Sequence, residues 1–219
     1  GFGIKDSISA ISEKQYGEII TYDFSITHKD GISETKKEDL IQYAKKQEHM
    51  TDLIEVSESA VTIRANGKKQ DATMIQPMSK KDLNGYISLQ DRKSKTKYQL
   101  DDDGIILTEK AASLLGVKKG DSIKIQRSGD KQITAKISQI TENYMQHKVY
   151  MTPKLYEKLY HKKAQTTGIY CIEKNISKKK MQENGKQILA RDEASTLHFC
   201  ADDEKTCLLY TSPSPRDCS

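Results

Sequence analysis

Two stretches of this chain repeat the order strand, helix, strand, and that order constrains the fold more than any other feature. In the first stretch, apolar and polar residues alternate from Glu18 to His28, which is typical of a strand with one buried face. Thr35 and Glu38 have the spacing of a capping box, which predicts a helix that ends near Glu48. A second strand is predicted at residues 52–65, and it completes the first unit.

The second stretch lies towards the other end of the chain. Thr152 followed by Pro153 has the pattern of a helix start, because proline at the first helical position loses no hydrogen bond. A strand at residues 167–173, a helix at 177–191 and a strand at 195–200 follow. Two such βαβ units are the halves of a ferredoxin-like fold, so the sequence predicts an α+β protein with a split ferredoxin-like (βαβ plus βαβ) subdomain.

The residues between the two units have a different pattern. Asn66-Gly67 is a strong turn signal, and short strands are predicted after it at 72–76, 86–89, 98–100, 105–107, 122–126 and 132–140. A short helix begins at Thr108 and ends at Gly116, which can adopt the left-handed conformation of a helix C-cap. We therefore expect a small strand-rich subdomain inserted into the mixed one.

The chain is predicted to divide into four parts. Residues 5–16 have the loose helical spacing of an exposed stalk helix, which we place at 1–17. A mixed α/β subdomain comprises 18–66 and 151–206, the inserted subdomain comprises 67–150, and a tail comprises 207–219. The tail resembles a translated sequencing adapter, so it is left out of the fold prediction. Of the remaining cysteines, Cys171 and Cys200 are expected to be buried thiols, and a disulfide requires their strands to be neighbours.

Charge and hydropathy argue against two classes of protein. The formal net charge of +5 arises from 36 basic and 31 acidic residues spread along the chain, so no nucleic-acid partner is expected. No stretch approaches the roughly 20 apolar residues that cross a bilayer. The chain starts at Gly1 without a signal-peptide pattern, so we expect any export signal to lie outside it.

Residues that could carry chemistry are scattered along the chain. Asp101 to Asp103, with Asp91 nearby, lack the pattern of a calcium loop and are predicted to form turns. Nucleotide-binding and nucleophile-elbow motifs are absent. We predict no catalytic, cofactor-binding or metal-binding residue, and therefore no enzyme. The histidines also never stand at metal-ligand spacing: His28, His49, His147, His161 and His198.

Three segments of the chain carry a resemblance to a known family. They are GFGIKDSI at residues 1–8, DGIILTEK continuing through LLGVKKGD at 103–121, and ITENY through H to YMTPKLY at 140–156. In this order they resemble the external domain of Gram-positive FtsX-like ABC transporter permeases, which carry a MacB-like core domain. The likeness spans nearly all of residues 1–206.

This resemblance implies a membrane location on the extracytoplasmic face. It implies a permease with four membrane helices, in which this domain follows the first helix and the mixed subdomain is porter-like. The implied partners are a cytoplasmic ABC ATPase subunit, reached through membrane helices missing from this chain, and a second permease copy or half. ATP hydrolysis would move the stalk, and the external domain would export, extract or sense a peptide, lipid or lipoprotein, or act on a cell-wall hydrolase. No binding residue is carried over.

Two other functions stay open. A free secreted or wall-attached binding module without catalysis requires a cleavable signal peptide upstream and no later membrane span. A hydrolase requires a cluster of Ser, His or carboxylate groups. Tyr144, His147 and Tyr150 are the most attractive binding cluster, because aromatic and imidazole groups could contact a peptide or lipid. We predict instead that they are core and hinge residues at the subdomain junction.

Overall fold

The computed structural model describes the backbone of residues 4–203 and the side chains of residues 9–203. Residues 1–3, which open the first resemblance segment, and the tail at 207–219 lie outside the described residues. The strands are β1 (Phe24–His28), β2 (Met50–Ala65), β3 (Lys68–Pro77), β4 (Ile105–Thr108), β5 (Ser122–Arg127), β6 (Ile133–Thr141), β7 (Lys148–Tyr150), β8 (Gly168–Glu173) and β9 (Ala194–Phe199).

Five α-helices accompany these strands in the described part of the chain: α1 (Ile4–Lys14), α2 (Glu34–Lys45), α3 (Glu109–Leu115), α4 (Pro153–Tyr160) and α5 (Lys178–Leu189). Helix α1 is the predicted stalk helix, and it runs directly into one π-helical turn, Gln15–Ile19. None of the described helices combines the length and the apolar composition that crossing a bilayer requires.

The predicted ferredoxin-like unit is confirmed. Its four strands lie in the order β9-β1-β8-β2, and every neighbouring pair is antiparallel. Helices α2 and α5 cover one face of this sheet, because Leu40 and Ile188 on the helices pack with Phe24 and Ile169 on the strands. Strands β1 and β8, which come from different βαβ units, are neighbours at the centre, so neither unit forms the sheet alone.

The inserted strands close into a six-stranded barrel together with β2. The ring of paired strands runs β2-β3-β7-β4-β6-β5 and returns to β2. Its interior is filled by β-branched residues such as Ile63, Ile105 and Ile125, which are fully buried. Closure pairs the strand edges that an open sheet would leave exposed.

Strand β2 belongs to both halves of the molecule. Residues 50–56 pair with β8 of the ferredoxin-like unit, and residues 61–64 pair with β5 of the barrel along the same edge. The other edge pairs with β3 from Val56 to Ala65. Residues 57–60 are therefore paired only with β3, and they mark the place where the two halves meet.

Helix α4 packs with the barrel, which corrects the predicted division of the chain. The sequence assigned all of residues 151–206 to the mixed subdomain, but Leu155, Tyr156 and Tyr160 lie in the barrel core. The apolar face that predicted the helix is real. The assignment is wrong because an amphipathic stripe does not specify which sheet it covers. The remaining boundaries stay predictions.

The local signals for helix ends are confirmed in part. Thr152 caps α4, since its Oγ1 accepts a hydrogen bond from a backbone N–H three residues on at 3.1 Å. Gly116 ends α3 with a φ of 68°, as predicted. The capping box at Thr35 is wrong: Ser33 is the N-cap of α2, and its Oγ accepts from Lys36 N at 3.2 Å. Two hydroxyl residues compete for this position, and spacing alone does not choose between them.

Two regions predicted as strands are irregular. The strand predicted from Glu18 begins only at Phe24, because the π-helical turn occupies residues 15–19. Residues 86–89 contribute a single bridge, Ile20 to Ile87, and residues 98–100 contribute none; the bridge from Gln90 to Lys97 lies between the two segments. These apolar side chains are buried by lying across the sheet rather than by joining it, so their alternation suggested the wrong structure.

Cys171 and Cys200 are free, buried thiols. Cys171 on β8 faces helices α2 and α5, whereas Cys200 follows β9 and packs in a cluster on the opposite face of the sheet. The disulfide that the sequence left open does not form, because the side chains lie on different faces. Burial raises the pKa of both thiols.

Gly168 occupies a tight position where β8 lies between β1 and β2. A Cβ atom there would stand 2.2 Å from the carbonyl oxygen of Ile26. We expect Gly168→Ala to lower the free energy of unfolding by about 1–3 kcal/mol in urea denaturation, because a strand backbone has to shift. Gly17→Ala is the control, since a Cβ at Gly17 meets nothing within 4 Å. Equal effects in the two variants would contradict the close strand approach.

Candidate functional site

A buried core that both halves share surrounds the end of the stalk helix. Ile19 ends the π-helical turn that follows the helix, Ile20 comes next, and they are only 1% and 9% exposed. The ferredoxin-like strands contribute Ile54 and Tyr170 to this core, and the barrel strands contribute Ile75 among others. The end of the stalk therefore packs against both halves at once. We call this cluster the shared core: Ile19, Ile20, Ile54, Val56, Ile75, Leu83, Tyr86, Ile87, Leu89, Ile106, Tyr150, Tyr170 and Cys200.

The connection between β3 and β4 covers the shared core. Its residues form no strand or helix, yet Leu83 and Tyr86 are buried. Thr21 N donates to the Tyr86 carbonyl at 2.9 Å, and Ser88 N donates to the Ile19 carbonyl at 2.8 Å. The connection thus holds the residues after the stalk by backbone hydrogen bonds as well as by packing.

A network of polar side chains, here called the polar joint, ties the π-helical turn to the barrel. Gln15 Nε2 donates to Asn143 Oδ1 at 2.9 Å, and Gln15 Oε1 accepts from Tyr144 N at 2.9 Å. Both Gln15 and Asn143 are buried. One amide thus satisfies a donor and an acceptor that burial would otherwise leave unpaired. The polar joint consists of Gln15, Gln90, Lys95, Glu142, Asn143 and Tyr144.

Glu142 is the charged centre of the polar joint and is 1% exposed. Its carboxylate accepts hydrogen bonds from Lys95 Nζ at 2.8 and 3.0 Å, from Gln90 Nε2 at 2.8 Å and from the Tyr144 hydroxyl. Burial alone would raise the pKa of Glu142, but these donors hold that pKa below its ordinary value. Burial, followed by the contact with Glu142, raises the pKa of Tyr144. Lys95 also lies 3.9 Å from a carboxylate oxygen of Glu18 in the π-helical turn.

The chain leaves this region beside the stalk. Residues 200–203, here called the exit segment, are helical and follow β9. The Tyr16 hydroxyl donates to Asp203 Oδ2 at 3.1 Å, and His198 Nε2 lies 2.5 Å from the same oxygen. The hydrogen bond to Asp203 is the main cause that raises the pKa of His198. The end of the stalk and the start of the exit segment are therefore in direct contact.

The structure separates the three residues that the sequence singled out. Tyr150 is buried in the shared core, and Tyr144 packs against that core while its hydroxyl joins the polar joint, so their predicted packing role is confirmed. His147 is half-buried, and its burial, with Lys110 as a second cause, lowers its pKa. A hinge role for these residues stays a prediction.

Sequence reasoning missed Gln15. A glutamine on a stalk helix ordinarily faces solvent, and nothing in the sequence marks its partner 128 positions away. Glu142 and Asn143 belong to the segment at 140–156, but nothing in the sequence assigns a role to either residue. An amphipathic pattern reports apolar burial, so it carries no signal for a buried amide.

Asp101 and Asp91 accept hydrogen bonds from their own turn backbone, as a turn predicts, whereas Asp102 Oδ1 accepts from the Thr152 hydroxyl at 2.7 Å. Asp101 Oδ1 accepts from Asp103 N at 2.8 Å and from Gly104 N at 3.1 Å, and Asp91 Oδ2 accepts from Ser94 N at 2.8 Å. Both are turns. Within residues 9–203, no three or more His, Cys, Asp or Glu side chains come together as metal ligands would.

Comparison with known proteins gives matches among solved structures. No family model matches the chain, and no curated protein sequence matches it. The chain is similar to the periplasmic region of MacB from Actinobacillus actinomycetemcomitans, with 10% identity, a TM-score of 0.49, and coverage of 89% of this chain and 96% of that chain. It is also similar to the extracellular domain of the ABC-type transporter YknZ from Gram-positive bacteria, with 12% identity, a TM-score of 0.44, and coverage of 80% and 99%.

Replacing Gln15 tests the polar joint. We expect Gln15→Ala to lower the free energy of unfolding by about 2–4 kcal/mol, because it leaves Asn143 Oδ1 and Tyr144 N unpaired in a buried site. Gln42→Ala is the matched control, since Gln42 makes one exposed hydrogen bond to Glu38 on α2 and should cost less than about 0.5 kcal/mol. Urea denaturation measures both, and a Gln15→Ala loss as small as the control would contradict the role of the amide.

Glu142 should make stability depend on pH. Its pKa is lowered in the folded protein, so the ionised carboxylate stabilises the fold above the ordinary value of 4.5, and this contribution is lost as pH falls through the folded pKa. We expect Glu142→Gln to cost about 1–3 kcal/mol near neutral pH and progressively less in acid. Glu183→Gln, which removes an exposed partner of Lys180, should change little at either pH. A Glu142→Gln cost that is constant with pH would contradict this assignment.

Proposed function

We propose that this chain is the extracytoplasmic domain of an FtsX-like ABC transporter permease, and that it transmits movement of the stalk to an external substrate without catalysing a reaction. The observation that carries the proposal is the position of the stalk end. Ile19 and Ile20 lie in the core that both halves share, and Gln15 is bonded into the barrel.

The residues behind the family resemblance support the proposal because they coincide with this contact. The segment at 140–156 contains Glu142, Asn143 and Tyr144 of the polar joint and Tyr150 of the shared core. A stretch that resembles the family in sequence is thus the stretch that binds the stalk. This coincidence favours a role in coupling over a role in fold stability alone.

The mechanical part of the proposal follows from how the stalk is held. A helix transmits a displacement only if its end cannot slip, and here packing, backbone hydrogen bonds and the polar joint all oppose slippage. A displaced stalk then moves both halves together or bends the molecule between them. Bending would concentrate in β2 at residues 57–60, because along one edge of the strand, β8 has ended there and β5 has not yet begun.

The contact between Tyr16 and Asp203 supports insertion between two membrane helices. A domain inserted in this way needs its first and last helices to run towards the membrane together. The partners in this arrangement are a cytoplasmic ABC ATPase, reached through those membrane helices, and a second permease copy or half. The substrate would be a peptide, a lipid or a lipoprotein.

The test uses the intact permease with its ATPase in membrane vesicles. Spin labels on Lys186→Cys in α5 and Ser128→Cys at the end of the barrel, with Cys207 and Cys218 replaced by serine, report the distance between the halves, because both labelled positions are exposed while Cys171 and Cys200 are buried. ATP binding should shift this distance, and Gln15→Ala should reduce the shift by about half or more while ATP hydrolysis continues. Gln42→Ala, on α2, should leave both readouts unchanged.

Two results would overturn the proposal. One is a gene in which the flanks of residues 1–206 encode polar sequence or a cleavable signal peptide instead of apolar helices, which would favour the free binding module. The other is a distance between the two spin labels that does not change when ATP binds to the wild-type permease. Turnover of a substrate by the isolated chain would argue against the absence of catalysis.

A further inference from the structure

Three cationic side chains lie side by side across three neighbouring strands of the barrel. Arg64 on β2 is directly opposite Lys69 on β3 and directly opposite Lys124 on β5. Neighbouring strands are about 4.8 Å apart, so this cationic row spans about 10 Å of surface. The row faces outwards, because the alternate residues Ile63 and Ile125 on the same strands fill the barrel interior.

The cationic row destabilises the sheet that carries it. Like charges at directly opposed positions destabilise a sheet, and no ion pair between the side chains of residues 9–203 includes Arg64, Lys69 or Lys124. Two carboxylates lie in the surroundings. Asp71 is two positions along β3 from Lys69, and Asp121 lies at the rim. These carboxylates compensate part of the repulsion among the three cations, and a bound anion would offset the rest.

The cationic row lines a concave surface at one end of the barrel, and this surface encloses a volume of about 930 Å³. Lys68 adds a fourth cation, and Asn66, in the turn that joins β2 to β3 beside the row, also lines the surface. Asn66 Nδ2 donates to the carbonyls of Leu115 and Gly116 at 2.9 and 3.0 Å, which ties the turn to the end of α3. The concave shape therefore depends on specific hydrogen bonds within the barrel half.

We propose that this concave surface binds a phosphate-bearing anionic polymer. Arg64 at the centre supplies the planar guanidinium that bonds a phosphate through two N–H groups, and Lys68, Lys69 and Lys124 neutralise the neighbouring phosphates. This inference rests on the barrel alone and is independent of the proposed function.

The lining of the surface favours a polyanion over two other partners. Ser122, Gln132 and Thr134 accompany the cations along the strands, and all three are exposed polar side chains. A protein interface is instead centred on apolar and aromatic residues, and a membrane-binding surface inserts an apolar face between lipids. The polar lining fits a solvated chain of phosphates, which binds through charge and hydrogen bonds.

The experiment measures binding of the full 219-residue chain to medium-chain sodium polyphosphate by isothermal titration calorimetry over a series of salt concentrations. The wild type should bind, and the row variant should bind about tenfold more weakly or worse. Its slope of log K against log salt should be shallower by about 2, since each lost contact with a single-stranded polyanion removes about 0.7. The row variant is Arg64→Gln, Lys69→Gln and Lys124→Gln together.

A matched control removes the same charge from exposed positions in the ferredoxin-like half, and it should weaken binding less than about twofold. It combines Lys46→Gln, Lys179→Gln and Lys186→Gln. The row variant should unfold at the same temperature as the wild type or a higher one, because the opposed charges are gone. An intact fold with weakened binding supports the proposal.

Four outcomes would overturn it. The wild type does not bind polyphosphate, or the control loses as much affinity as the row variant. Polyglutamate or phosphatidylglycerol vesicles bind as tightly as polyphosphate with the same sensitivity to the row variant, which would assign the surface to acidic proteins or to a membrane. A lower unfolding temperature of the row variant would assign the row to folding.

Discussion

One strand, β2, carries the pairing of both halves of this molecule, and the rest of the architecture depends on it. It pairs with β8 near its start and with β3 and β5 near its end. The ferredoxin-like sheet and the barrel therefore share continuous backbone rather than a flexible linker. Their relative position is limited to what bending of a strand allows, and residues 57–60 are the part where the neighbouring strand changes from β8 to β5.

The stalk meets this arrangement where the two halves join, and two kinds of interaction hold it there. Apolar packing around Ile19 and Ile20 excludes water but tolerates small rearrangements, since dispersion contacts have little directionality. The hydrogen bonds of Gln15 and Glu142 are directional, and a misplaced partner would leave a buried polar group unpaired. The apolar packing holds the end of the stalk in the shared core, and the polar joint specifies the orientation of the stalk.

In the barrel, the interior stabilises the fold, whereas the charges on the outer face destabilise it. The interior is made of buried apolar side chains, isoleucines among them, whereas the outer face places Arg64 between two lysines. A sheet gains nothing from aligned like charges, so the interior has to supply the stability that the outer face gives up. Stability and surface charge thus reside on alternate residues of the same strands, which is a direct result of the two-residue period of a β-strand.

The α+β class, the two βαβ units and the order of the five α-helices follow from the sequence alone, because the period of apolar residues and the caps of α4 and α5 are local properties. The sequence did not determine which surface buries a given apolar face. Helix α4 covers the barrel, residues 86–89 lie across the shared core, and Cys171 and Cys200 face away from each other. Gln15 and Asn143 are the clearest case, since they meet across 128 residues through a contact that only the packing of both halves creates. Local patterns record that a face is buried, whereas the identity of its partner depends on how the whole chain packs, and only the tertiary structure decides that.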